Sequence, residues 1–214
     1  MNIEPIPHPV LLLVSAPSGT GKTTLCHRLM QDEPELRYSV SSTTRAPRVG
    51  ETDGVDYTFL SRDEFLLRAG DGKFLEFAEV HGNLYGTEIG MVERTFLAGY
   101  SVLLDVDVQG ARLIREALDR ESMNPKLRQC FHDVFISPPS LDALRYRLEK
   151  RGKDSQEVIE KRLRNAKAEM LDAAHYEYQV INDDLDSAFA QLTAIHTACR
   201  LRTVRLQAGR NGRL

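Results

Sequence analysis

The chain has 214 residues, 42% hydrophobic and 28% charged with no Trp, which suits one domain or one core domain carrying inserted lobes. Its formal net charge of −3 offers no overall attraction to nucleic acid or to an acidic membrane, so any anion site must be local. Three scattered cysteines, Cys26, Cys130 and Cys199, with no CxxC argue against a disulfide framework or a zinc site and for a reducing compartment.

In chain order, MNIEPIPHPV has no basic n-region, and the apolar run Val10–Val14 is too short for a signal sequence or a span, which points to the cytoplasm. That run is continuous rather than alternating, as expected for a strand buried on both faces of a parallel sheet. A loop of small residues follows, and Lys22–Met30 reads as a helix ending before Pro34. A short strand is expected at 37–41, leading into the basic turn Thr44-Arg45-Ala46-Pro47-Arg48-Val49-Gly50. Residues 55–60 and 73–81 alternate like exposed strands, with a capping-box helix opening at Ser61 between them. Gly82-Asn83 suits a tight turn, and 88–98 reads as helix.

The remainder returns to strand and helix in turn. Val102–Val106 is a second buried strand, Gln109–Leu118 a helix, and 119–131 a polar stretch without period, expected to be an exposed loop. Val134–Ile136 is a strand, and Pro138-Pro139-Ser140 caps a helix over Leu141–Lys150. Ser155 caps a long helix to about His175, Val180-Ile181 is a last strand, and a helix runs from about Leu185 to Leu206. Strands alternating with helices imply an α/β fold, with a parallel sheet flanked by helices. The β-rich stretch at about 37–90 breaks that rhythm and is best placed as an inserted lobe.

Residues 16–23 read Ala-Pro-Ser-Gly-Thr-Gly-Lys-Thr, after a buried strand and before a helix, which is the context as well as the spacing of a P-loop. Ala16 stands where the pattern asks for Gly, away from the closest phosphate contacts. Inward-pointing N–H groups and the helix N-terminus cradle phosphates. Gly19 and Gly21 permit close approach, Lys22 can reach the β- and γ-phosphates, and Thr23 can offer its hydroxyl to Mg²⁺. Leu103-Leu104-Asp105-Val106-Asp107 ends a buried strand with acids, as a Walker B segment does.

A P-loop alone fits ATPases, GTPases, helicases and kinases, and the lack of an N-K-x-D motif argues against a GTP switch. The choice narrows at Thr44-Arg45-Ala46-Pro47-Arg48, which sets two guanidiniums close together on a stiffened loop, suited to bidentate phosphate contact. Glu76, in an alternating strand, taken alone reads as a solvated residue.

With these motifs in place, the sequence resembles the guanylate kinase family. The resemblance is carried by SAPSGTGKTTL (15–25), SVSSTTRAPRVGE (39–51), GVDYTFL (54–60), FLEFAEVHGNLYGT (74–87), LLDVDVQGA (103–111), RLEKRG (147–152), EVIEKRL (157–163) and INDD (181–184). These strings lie in family order and cover about residues 10–200. The resemblance implies a P-loop core over 1–36 and 91–207, a GMP-binding lobe over 37–90, a helical lid at about 140–170 and a frayed tail at 208–214.

By position, ATP is expected at Ala16, Pro17, Ser18, Gly19, Thr20, Gly21, Lys22, Thr23, Thr24 and Asn182, with the metal at Thr23 and Asp105. Arg45, Arg48, Tyr57 and Tyr85 look like the GMP phosphate clamp, and Ser41, Glu76, Thr87 and Asp107 like the guanine readers. Lys22, Arg45 and the lid arginines Arg147, Arg151 and Arg162 look catalytic.

The implied reaction is MgATP + GMP → ADP + GDP, in purine nucleotide metabolism and GMP recycling, with dGMP a further acceptor. No nucleic acid or membrane partner is expected, and monomer or homo-oligomer stays open. Guanine supports the acceptor chemically, because its adjacent N1–H and N2–H₂ donors suit a carboxylate whereas adenine offers an unprotonated N1. Leu84 departs from the family, which often has Tyr there, and 119–131 is longer than the usual connection. Competing readings are a catalytically silent protein-binding domain of the same fold and a kinase for a small sugar phosphate.

Overall fold

The computed structural model describes residues 8–80, 82–150, 152 and 154–202. In chain order the first elements are β1 (Leu11–Ser15), α1 (Lys22–Asp32), β2 (Leu36–Tyr38), β3 (Ser42–Thr43), β4 (Thr58–Phe59) and α2 (Arg62–Gly70). Then come β5 (Phe74–Val80), β6 (Asn83–Glu88), α3 (Ile89–Leu97), β7 (Ser101–Asp105), α4 (Val108–Leu118) and α5 (Pro125–Gln129). The last are β8 (Phe131–Ser137), α6 (Leu141–Lys150), α7 (Gln156–Glu169), a 3-10 turn over Met170–His175, β9 (Tyr178–Ile181) and α8 (Leu185–Arg200).

Five strands form one parallel sheet in the order β2-β7-β1-β8-β9. β1 lies at its centre with every residue buried, so its sequence has no polar alternation. Alternate residues still serve opposite faces. Leu12 and Val14 pack with Leu25 and Leu29 of α1 and Leu192 of α8, whereas Leu11 and Leu13 pack with Val92, Ile114 and Leu127 of α3, α4 and α5. Each such side chain, fully withdrawn from water, contributes about 1.5–3 kcal/mol as an upper estimate. This double-sided core fixes the carboxyl ends of β1 and β7, and open α/β sheets bind ligands at that edge.

A second, smaller sheet has the order β4-β3-β6-β5. It is held by Phe65, Phe74 and Leu84, with Phe65 and Phe74 stacked at 4.4 Å between centroids. Leu84 thus fills the lobe's own core, which accounts for an aliphatic residue where the family often has Tyr. Leu75 of β5 leaves this cluster and packs into the main core beside Ala111 and Ile114, seaming lobe to core. Helices α6 and α7 close on a third cluster of Leu144, Leu148, Ile159 and Leu163.

Five expectations change. The strand expected at 37–41 is Leu36–Tyr38 and pairs with β7 in the main sheet, so Arg37 and Tyr38 stand with the core and the second sheet starts at Ser42. Residues 119–131 are not all loop: Asn124 caps α5 through Lys126 N–H at 3.0 Å, with Pro125 at its start and Leu127 buried. β8 begins at Phe131 because polar His132 and Asp133 lie inside, paired with Glu177 and Arg115. The long helix stops being α-helical at Glu169 and continues as the 3-10 turn. The last helix ends at Arg200, and the expected tail at 208–214 lies outside the described residues. Among the described residues no helix is long and apolar enough to cross a membrane.

Candidate active site

The turn from β1 into α1 is set by two glycines in left-handed backbone, Gly19 at φ +96° and Gly21 at φ +94°. Gly21 also lacks room for a Cβ, which would sit 2.5 Å from Asn182 Nδ2. Asn182 is buried and donates from Nδ2 to Thr20 O at 2.6 Å, while its backbone N–H donates to Ser137 O at 2.8 Å. The Thr20 hydroxyl donates to Pro17 O at 2.8 Å. The loop is thereby curled around a cavity of about 430 Å³ lined by Ala16 through Thr24, Asp107 and Glu169. Thr23 and Thr24 are exposed on the first turn of α1. A second cavity of about 300 Å³ lies on the other side of Gly19–Gly21, lined by Arg147, Lys150, Asn182, Asp183 and Leu185.

Lys22, the first residue of α1, turns back onto the end of β7. Its Nζ lies 2.5 Å from Asp105 Oδ1 and donates to Val106 O at 2.6 Å. Beneath it Cys26 is buried, and burial with the nearby Asp105 charge pushes its thiol up to about 12, so it stays a neutral packing group.

The lobe gathers the expected acceptor residues in two groups. Thr43 pairs with Tyr85 in the β3–β6 ladder, and Thr44 N–H donates to Leu84 O at 3.0 Å. That register brings Tyr85 to the arginine loop, 6.0 Å from Tyr57 between ring centroids and edge-on. The Arg45 guanidinium carbon stands 5.3 Å from the Tyr57 ring centre and 5.8 Å from that of Phe59. Glu51 grips Arg45 with both oxygens at 2.9 Å and takes the Arg48 N–H at 2.7 Å, leaving the Arg48 side chain exposed.

In the second group, Glu76 faces Thr87 across the β5–β6 ladder, and the Thr87 hydroxyl donates to Glu76 Oε1 at 2.8 Å. Burial raises the Glu76 pKa, Thr87 opposes the rise, and the Asp107 charge adds to it. Asp107 caps α4 by accepting the Gly110 N–H at 2.7 Å. Gly110 stands beside Glu76, since a Cβ there would lie 3.7 Å from Glu76 Oε2, in ordinary contact, and 3.2 Å from Val106 Cβ in its own chain segment. Ser41 stands at the lobe's entrance, its carbonyl accepting Thr58 N–H at 2.9 Å.

Among the described residues, one lid arginine faces the P-loop and another is turned within the lid. Arg147 faces Gly19–Gly21 and donates to Asp183 O at 3.1 Å, but Arg162 pairs with Asp154 at 3.3 Å within the lid. Arg151 lies outside the described residues. Asp105, expected at the metal, holds Lys22 instead. Two carboxylates escaped the sequence reading. Glu51 follows the arginine loop without a motif of its own, and Glu169 reaches the phosphate cavity only because α7 ends there. Burial, then Asp107 and Asp172, raises the Glu169 pKa.

A P-loop at the edge of a five-stranded parallel sheet, with an insert that carries arginines and tyrosines, is the arrangement of an α/β P-loop phosphotransferase. The family model for guanylate kinase matches residues 8–198. The guanylate kinase of Hahella chejuensis is 46% identical over 95% of both chains, and that of Thiobacillus denitrificans 45% over 94% of this chain and 89% of its own. A crystal structure of guanylate kinase from Anaplasma phagocytophilum superposes with TM-score 0.66 at 32% identity, covering 92% of this chain and 89% of its own. The chain belongs to the guanylate kinase family, and its activity is ATP-dependent phosphorylation of GMP.

Proposed function

We propose that the ATP triphosphate occupies the P-loop cavity, that GMP occupies the lobe at about 37–90, and that the reaction takes place where Asp107 lies between them. The observation that carries this reading is the double position of Asp107. It lines the P-loop cavity with Lys22 and Thr23, and the residue whose N–H it accepts, Gly110, stands beside Glu76 in the lobe. Donor and acceptor sites therefore adjoin.

In this reading the backbone of Ala16–Thr24 cradles the phosphates and Lys22 leaves Asp105 to meet the β- and γ-oxygens. Arg45, Arg48, Tyr57 and Tyr85 hold the GMP phosphate. Glu76 accepts from guanine N1–H and N2–H₂, oriented by Thr87, with Ser41 and Asp107 beside the base. The attacking oxygen of GMP is already anionic, so no strong general base is required and catalysis reduces to alignment and charge neutralisation. Arg147, Arg151 and Arg162, on the lid at about 140–170, complete that neutralisation when the lid excludes water. None of these contacts involves the ribose 2′-hydroxyl, so dGMP is an acceptor as well.

Oxygen donors alone fit a hard cation here. Exposed Thr23 and the strand-end Asp105 would hold Mg²⁺, and among the described residues no set of three or more His, Cys, Asp or Glu could hold an ion unaided. Mg²⁺ in phosphoryl-transfer sites commonly binds through one or two protein oxygens with substrate phosphates and water. Bound with ATP, Mg²⁺ would neutralise part of the phosphate charge during transfer. A cytoplasmic location is part of this reading, since three scattered cysteines with no CxxC favour a reducing compartment.

The test is a coupled assay of ADP formation with GMP, dGMP, AMP and a sugar phosphate offered in turn. Turnover with GMP and dGMP and none with the others is expected. Equal turnover with AMP would remove Glu76 from base reading, and no turnover with any acceptor would leave a silent binding domain.

A further inference from the structure

Glu51 is the most heavily engaged carboxylate of the lobe, yet it touches none of the residues expected to read the guanine base. Oε1 accepts Arg45 Nη2 at 2.9 Å, and Oε2 accepts Arg45 Nη1 at 2.9 Å and the Arg48 N–H at 2.7 Å. The Glu51 N–H donates back to Arg48 O at 3.0 Å, closing a tight loop through Gly50 at φ +92°. Arg45 Nη1 also donates to Ala46 O at 2.8 Å. A guanidinium carries five N–H donors in a fixed fork. Glu51 and Ala46 therefore occupy its outer end, while the remaining donors, with the Tyr85 side chain beside them, are the ones suited to another oxyanion. The arrangement is half-buried, with 14% of the Arg45 side chain and 19% of the Glu51 side chain exposed.

We propose that Glu51 is a positioning residue for the GMP phosphate: it holds Arg45 by its outer end and the Arg48 backbone by its N–H, presenting the remaining donors of the guanidinium before GMP arrives. The proposal rests on the reading of Arg45 as a phosphate ligand. Without Glu51, two neighbouring guanidiniums repel on an exposed loop, and each long side chain must be ordered at the moment of binding. With it, the loop is assembled in advance. Its carboxyl is held below the usual carboxylate range, first by Arg45 and then by the Arg48 N–H, so it is ionised throughout the neutral range.

The same contacts admit an opposite outcome, in which Glu51 occupies the seat of the phosphate and competes with it. Calorimetric titration of the full chain separates the two, using GMP, guanosine and ATP against wild type, Glu51→Ala, Glu51→Gln and Arg45→Ala. Positioning predicts that Glu51→Ala weakens GMP about 10- to 100-fold, as for loss of a charged hydrogen-bond pair, and leaves guanosine and ATP unchanged. Glu51→Gln, which keeps the shape and one acceptor oxygen, should fall between and guards against a folding defect in the alanine variant. Tighter or unchanged GMP binding in Glu51→Ala overturns the proposal, and so does an equal loss of guanosine, which would mark a merely structural role. If Arg45→Ala leaves GMP binding intact, the clamp reading itself fails, whatever Glu51 does.

Discussion

Lys22 and Arg45 both rest on a carboxylate beside a proposed phosphate site, but the two pairs are built in different ways. Lys22 meets Asp105 across the sheet, because β1 and β7 pair in register from Leu11↔Val102 to Val14↔Asp105 and both are buried. Arg45 hangs from a two-residue strand and is fixed by Glu51, six residues on. The geometry of the proposed donor site is a product of the tertiary core, whereas that of the proposed acceptor site is a local ionic clasp. A change at the donor side should therefore act through chemistry or backbone, and one at the acceptor side through orientation and selectivity.

The sharpest way to break that contrast is Lys22→Met. The core holds its position with or without the ammonium, so GMP binding should stay near wild type while kcat falls about 10³-fold or more, as for removal of a group aimed at developing charge. Single-turnover kinetics beside GMP titration checks both halves, and an unchanged kcat sinks the P-loop assignment. Next in size is Glu76→Gln. An amide can present one acceptor but not two, so the GMP-to-AMP ratio of kcat/KM should drop by roughly 10²-fold, part of the discrimination that a site built for hydrogen bonds achieves. Retained selectivity in this variant points to Asp107 and Ser41 instead.

Gly21→Ala tests the backbone side of the comparison. Its φ of +94° disfavours a side chain, and the added Cβ meets Asn182 Nδ2, which is tied to Thr20 O. Strain of about 1–3 kcal/mol is expected. It should appear as a lowered Tm and weaker ATP binding, with GMP binding retained. Loss of GMP binding to the same degree would show that the two sites are not separable in this way.

How much could be read beforehand follows the same division. Val10–Val14, the glycine loop and Lys22 are neighbours in sequence, so buried strand, turn and helix start were all legible from local chemistry. The core position of β2 was not, because only its pairing with Ser101–Leu103 reveals it. Nor was α5, whose five residues are too few to show a period. Arg45 and Arg48 could be picked out as phosphate-seeking, but Glu51 could not, since an acid after a basic turn has no signature until the chain folds back. Asp107 was expected both at the base and, as a strand-end acid of Walker B type, beside the P-loop, whose cavity it lines.

The smallest effect sharpens the comparison from the side of stability. Burial, with Asp107 behind it, raises the Glu76 pKa above the ordinary carboxylate range. A carboxyl raised in the folded state favours folding while protonated, below its unfolded pKa, and loses that contribution as pH rises through the folded value. Glu76→Gln, which cannot ionise, should therefore gain stability over wild type as pH rises from acid to neutral, with no difference at the acid end. Thermal unfolding at a series of pH values reads this directly. GMP should reverse the order, because guanine donors reach the ionised carboxylate and repay its burial, so ligand stabilisation at neutral pH is larger for wild type. If instead GMP raises the Tm of both proteins equally, the buried charge on Glu76 has no part in holding guanine, and the acceptor lobe would owe its affinity to the phosphate clasp alone.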